Sequence, residues 1–161
     1  MAVILVDGDG TCWPLAPHGF YSKKDIGSAD VLKELVANGH EIVLWTCRNN
    51  SKTNPYNYHI RDNQWREETS LGEAVRWFRD RDIPLAGINS YKPGEKFVGK
   101  ANKPLGDIII DDTAIGTPMI EDEYVDVYSI RTGRKSSYPR KTRYVDWKAV
   151  RALLVKKGLL K

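Results

Sequence analysis

The sequence predicts an α/β domain built on an open, mostly parallel sheet with helices on both faces. Three observations predict it. Apolar runs of strand length alternate with stretches of helical periodicity, the order expected of βαβ units. The first run, V-I-L-V at residues 3–6, is apolar at consecutive positions, as in a strand buried on both faces. Several runs end in short stretches rich in Asp, Thr and Gly, where an open α/β sheet binds its ligands.

Each element follows from a local signal. Ala2 to Val6 forms the first strand. Ser28 caps a helix running to about Asn38, with Val31, Leu32 and Leu35 inward and Gly39 as the stop. E-I-V-L-W-T, Glu41 to Thr46, is the second strand. Residues 49–68 are polar, aperiodic and contain Pro55, so they form a long loop of the kind that often carries function. Ser70-Leu71-Gly72-Glu73 has the form of a capping box and opens a helix with Leu71, Ala74, Val75 and Phe78 on its apolar face. Leu85 to Ile88 is a short strand after Pro84, and a loop rich in Lys, Pro and Gly occupies 91–106. D-I-I-I-D, Asp107 to Asp111, is the next strand, and the alternation V-D-V-Y-S-I predicts another over Val125 to Ile130. Residues 131–143 are basic and turn-rich. Asp146 caps a last helix to about Lys157, with Val150, Leu153 and Leu154 inward.

A chain of 161 residues suits one domain with a real core. No apolar run reaches the roughly 20 residues of a membrane span, and no secretory signal pattern is present, so a cytoplasmic protein without membrane contact is expected. The two cysteines, Cys12 and Cys47, are too few for a disulfide framework and read as reduced packing thiols. The net charge of +4 is unevenly spread. Residues 131–161 hold eleven Lys or Arg against one acid, a balance of +10, whereas residues 1–130 stand at −6. The sign change divides the chain into a core over 1–118 and a basic C-terminal extension over 119–161, packed on that core. Such a segment can meet an anionic partner such as nucleic acid, or be an ordinary solvated face.

The strand ends carry the chemistry. The first ends in Asp7-Gly8-Asp9, the second in Thr46-Cys47-Arg48, and the one over 107–111 in Asp111-Asp112. Parallel neighbours bring these to one edge, where so many carboxylates require a counter-ion. Oxygen donors at that density favour Mg²⁺; three histidines and two cysteines without ligand spacing give zinc little support. Asp7 and Asp9, two apart, can face one bound group, one attacking phosphorus and the other handling the leaving group's proton. Gly8 and Gly10 allow close backbone approach to phosphate oxygens.

With these residues the chain resembles the haloacid dehalogenase (HAD) superfamily of Mg²⁺-dependent phosphohydrolases. V-I-L-V-D-G-D-G-T matches the first motif of that family, I-V-L-W-T the second, the lysine of A-N-K-P-L-G-D the third and I-I-I-D-D the fourth, in order, over about residues 1–118. G-H-E-I-V-L-W-T-C-R and I-N-S are similar to the small capless bacterial and phage members. The resemblance implies a Rossmann-like fold without a large cap domain, and an aspartyl-phosphate mechanism. Asp7 would be the nucleophile and Asp9 the acid and base. Thr46 and Lys103 would bind the transferring phosphoryl group, with Gly10 and Arg48 as further phosphate-binding positions. Mg²⁺ would be held by Asp7, the Asp9 backbone carbonyl, Asp111 and Asp112. Lys92, Lys96 and Lys100 are rivals to Lys103, and Arg48 can equally be a surface residue. Gly8 replaces the bulky residue of many members and opens space beside the nucleophile.

An uncapped site admits a large substrate. Tyr56, Tyr58, His59 and Trp65 in the 49–68 loop, and Tyr138, Tyr144 and Trp147 among the C-terminal bases, are suited to stacking on nucleobases. The expected partner is therefore a phosphorylated small molecule, a nucleotide or a phosphorylated nucleic-acid end. The alternative is a catalytically silent module that binds nucleic acid or a protein through its basic segment.

Overall fold

The computed structural model describes residues 1–48, 69–89 and 106–161. The fold is mixed α/β. A four-stranded, wholly parallel sheet consists of β1 (Val3–Val6), β4 (Glu41–Leu44), β5 (Leu85–Ile88) and β6 (Ile108–Ile110), in the order β5-β4-β1-β6. β1 lies in the middle, with Ile4 opposite Ile42 on one side and Ile108 on the other.

That central position explains the unbroken apolar run. Ile4, Val6, Ile42, Leu44 and Ile110 point to one face and belong to the main hydrophobic cluster. Leu5 and Val43 point to the other face and are equally buried. The helices α1 (Ser28–Ala37), α2 (Ser70–Arg79) and α3 (Trp147–Lys156) all bury their apolar faces in the main cluster, to which Leu5 and Val43 do not belong. The expected second helical layer thus has no counterpart among the described residues. Full burial of a side chain such as Phe78 contributes about 2–3 kcal/mol to this packing.

The cap of α3 forms as expected, with the Asp146 side chain accepting from the Ala149 N–H. Two other caps differ. The cap of α2 is Thr69, whose hydroxyl accepts from Gly72 N, and this leaves Glu73 free to turn elsewhere. α1 starts from Gly27 in the left-handed region, and Ser28 instead donates its hydroxyl to the Cys12 carbonyl. Leu153, expected inward on α3, is 46% exposed.

A second, antiparallel sheet was not expected. It comprises β2 (Leu15–Ala16), β3 (Phe20–Tyr21), β7 (Met119–Val125), β8 (Tyr128–Ser129) and β9 (Arg140–Val145), in the order β7-β9-β2-β3-β8. The strand predicted over 125–130 is divided: Val125 ends β7 opposite Arg140, and Tyr128–Ser129 pair with β3. The segment 119–161 is stitched to the N-terminal part: Leu15 pairs with Arg143, and Val145, Trp147, Val150 and Leu154 enter the main cluster. Among the described residues, no helix is long and apolar enough to cross a membrane.

Candidate active site at the strand ends

The carboxyl ends of the parallel strands form one edge. Asp7 N donates to the Ile110 carbonyl, Trp45 N to Val6 and Asn89 N to Leu44, so the residues leaving β1, β4 and β5 are fixed in line by backbone bonds. Asp111 and Asp112 leave β6 beside Asp7. One carboxylate oxygen from each of Asp7, Asp111 and Asp112 lies within 4.8 Å of the others.

Two contacts with the first loop fix this cluster. Asp112 N donates to Thr11 Oγ1 at 3.0 Å. Gly10 has φ 74°, and a Cβ built there would stand 2.6 Å from Asp112 Oδ2. The close approach at Gly10 is therefore to a carboxylate, and only glycine both tolerates this backbone and leaves room for it. Thr113 donates twice to Asp111 Oδ1, from its N–H and its hydroxyl.

In this setting the ionised forms of Asp7 and Asp112 are disfavoured. Burial pushes Asp7 up to about 8, with the charges of Asp9, Asp111 and Asp112 adding to the rise and a Gly8 backbone hydrogen bond opposing it. Asp112 is raised as well, by burial and then by Asp111. The donor set is all hard oxygen, and a divalent cation there would replace mutual repulsion with attraction, so the cluster fits Mg²⁺.

Asp9 meets a different environment, and its carboxylate lies outside this group. Arg48 Nε donates to Asp9 Oδ2 at 2.7 Å and Nη2 to Oδ1 at 2.8 Å, while Trp13 Nε1 donates to Oδ1 at 2.8 Å. Arg48 is no surface residue: its side chain is 2% exposed. Its Nη1 donates to the Glu73 carboxylate and to the Ser70 carbonyl. Burial works against this buried charge, but Asp9 and Glu73 more than offset it and hold the guanidinium firmly protonated. Glu73 also accepts from the Tyr21 hydroxyl.

Trp13 fills the space over Gly8, where a Cβ would stand 2.6 Å from the indole edge. The room expected beside the nucleophile is thus occupied by an indole. Thr46 accepts from Arg48 N through Oγ1 at 3.2 Å and donates its N–H to Asn89 Oδ1, and its hydroxyl hydrogen has no acceptor among the described residues. Cys12 is buried and donates Sγ–H to the Asp7 carbonyl; burial, then Asp7 and Asp9, push its thiol well up, as they do less strongly for Cys47. Both are poor nucleophiles.

The structure therefore brings Asp7, Asp111, Asp112, Gly10 and Thr46 to one edge and pairs Asp9 with Arg48. Lys103, its rivals Lys92, Lys96 and Lys100, and the 49–68 loop lie outside the described residues. Sequence reasoning missed Trp13, Asn89 and Glu73. The position of Trp13, four residues after Asp9 and close to a glycine that can admit a ring, is the one usable signal.

These features define a mixed α/β protein with an acidic, oxygen-donor site at the carboxyl edge of a parallel sheet. No family model matches the chain, and no curated protein does so either. Among solved structures it is similar to a conserved protein from Bacteroides thetaiotaomicron, with 25% identity over 71% of this chain and 78% of that chain, at a TM-score of 0.52. The similarity concerns the fold.

Proposed function

We propose that this protein is a Mg²⁺-dependent phosphohydrolase of the HAD type, acting on phosphomonoesters through an aspartyl-phosphate at Asp7. The observation that carries this reading is the convergence of Asp7, Asp111 and Asp112 at the ends of two hydrogen-bonded parallel strands. The order of the strand-end motifs, with Thr46 at the end of the neighbouring strand, supports it.

Asp7, Asp111 and Asp112 would hold Mg²⁺, which supplies charge neutralisation for the phosphoryl group and favours the ionised, nucleophilic form of Asp7. A carboxylate oxygen of Asp7 attacks phosphorus as the ester P–O bond breaks. The leaving oxygen takes a proton from Asp9, which must first release one of its three donors and take up a proton from solvent. Asp9 then accepts a proton from water, whose oxygen attacks phosphorus and frees Asp7 and inorganic phosphate. Thr46 donates its hydroxyl to a phosphoryl oxygen throughout. The substrate class that suits an uncapped site is a nucleotide or a phosphorylated nucleic-acid end.

One observation favours the second reading, a catalytically silent binding module: both Asp9 oxygens are taken by Arg48 and Trp13. Phosphate release from p-nitrophenyl phosphate and from a panel of nucleotides and phosphorylated oligonucleotides separates the two. Turnover that requires Mg²⁺, stops with EDTA and is lost in Asp7→Asn supports the enzyme. Absence of turnover across the whole panel, with oligonucleotide binding retained, supports the module.

A further inference from the structure

Beside the Asp9–Arg48 pair lies a cavity of about 250 Å³. Its apolar wall is aromatic, formed by Trp13, Tyr21 and Trp77. The Trp13 and Trp77 ring centroids are 5.4 Å apart and tilted by 53°, giving a polarizable surface against which a flat group can lie.

The charges around it are unequal. Of the acids on its rim, Glu73 and Asp80 have cationic partners, while Asp25 has a backbone N–H. Glu73 accepts from Arg48 and Tyr21, Asp25 accepts from the Gly27 N–H, and Asp80 pairs with Arg79. Two rim cations have no carboxylate partner among the described residues. The Lys23 ammonium sits 4.2 Å from the Tyr128 ring centroid. The Arg81 guanidinium sits 4.3 Å from the Trp77 ring centroid and donates to the Trp77 carbonyl. Arg48 contributes a third donor. Two of its N–H bonds go to Asp9, one to Glu73 and one to the Ser70 carbonyl, which leaves one on Nη2 without a partner among the described residues.

We propose that this cavity is a second ligand site that takes a small, flat aromatic anion, its ring against Trp13 and Trp77 and its charge toward Lys23 and Arg81. The volume is below the roughly 300–1,000 Å³ of pockets for drug-sized ligands, so it suits one ring system and not a polymer. Aromatic faces supply the ring contact, and cations lacking counter-ions supply the charge preference. The site also bears on Asp9. Arg48 lines the cavity and holds both Asp9 oxygens, so an anion drawing on Nη2 loosens that grip and frees the acid. This coupling rests on the phosphohydrolase reading; the binding does not.

The test is a titration of ¹⁵N-labelled protein with 1-naphthoate, followed by the indole N–H signals, with uncharged 1-naphthamide as the control. The Trp13 and Trp77 signals shift, while that of Trp147, buried against the Thr11 carbonyl, stays. Affinity falls about tenfold in Lys23→Ala and in Arg81→Ala, two rim changes that leave the core intact, and is kept in Asp7→Asn. No shift, equal binding of the amide, or loss of binding in Asp7→Asn overturns the site. Saturating naphthoate raises kcat for p-nitrophenyl phosphate about fivefold. An unchanged kcat in protein that binds naphthoate overturns the coupling. Binding without turnover of any phosphoester overturns the phosphohydrolase reading and leaves the ligand site standing.

Discussion

Asp7 and Asp9 are separated by one glycine and feed regions of opposite electrostatic character. Around Asp7, three carboxylates crowd together. Around Asp9, a buried guanidinium answers two carboxylates with bonds of 2.7–3.0 Å. Alternation alone would send residues two apart to the same side; the separation arises because the chain turns here, with the Gly8 carbonyl accepting from the N–H groups of Thr11, Cys12 and Trp13, so that Asp9 is carried to other partners. The first region is held in an unfavourable state that a bound cation would relieve. The second balances its charges internally, with one Arg48 N–H on Nη2 left over among the described residues. Function is expected where the charges do not balance, and rigidity where they do.

The comparison breaks most visibly at Asp7. Asp7→Asn removes the proposed nucleophile and one of the crowded carboxylates together. Turnover of p-nitrophenyl phosphate falls by about 10³-fold or more, while the metal-free protein melts at a higher temperature than the wild type. A lower melting temperature would mean that Asp7 is not under charge strain. The Arg48 region gives the opposite sign. Arg48→Ala leaves Asp9 and Glu73 without their cation and costs about 3 kcal/mol, read as a lower urea midpoint at unchanged slope.

Gly10→Ala sits between the regions. The left-handed backbone and the carboxylate of Asp112 oppose the new methyl, and the expected loss is about 2 kcal/mol, with weaker Mg²⁺ binding by calorimetry. The comparison is sharpened further by the pH dependence of the metal-free protein. Asp7 stands at about 8 in the fold against an ordinary 3.8, so the folded state binds the proton more tightly. Its contribution to stability is present in full below 3.8 and is lost as the pH rises to about 8. Denaturant midpoints measured across that range should fall in the wild type, fall less in Asp7→Asn, and flatten when Mg²⁺ is added.

The parallel sheet was legible because each strand declares itself locally. V-I-L-V, I-V-L and I-I-I are apolar without interruption, and the helices carry their own periodicity. The antiparallel sheet was not. M-I-E-D-E-Y-V in β7 exposes most of its residues, and R-K-T-R-Y-V in β9 hides Thr142 and Tyr144 among charges, so neither has an apolar run to find. The other neighbour of β9 is β2, where Arg143 pairs with Leu15, more than a hundred residues away. In the site, the position of Asp7, Thr46, Asp111 and Asp112 at strand ends followed from those same runs. The fate of Arg48 did not. Asp9 lies 39 positions before it and Glu73 lies 25 after it, and nothing local distinguishes a buried arginine from a surface one.

The loop after Asp9 owes its brace to residues made much later. Gly10 O accepts from Val145 N, and Thr11 O from the Trp147 indole, links that span more than 130 positions. A ribosome therefore exposes every strand of the parallel sheet well before it exposes the residues that clamp this loop. In coupled translation, sheet formation should precede competence to bind the metal, and a nascent chain stalled before Val145 should hold its sheet with the loop unclamped.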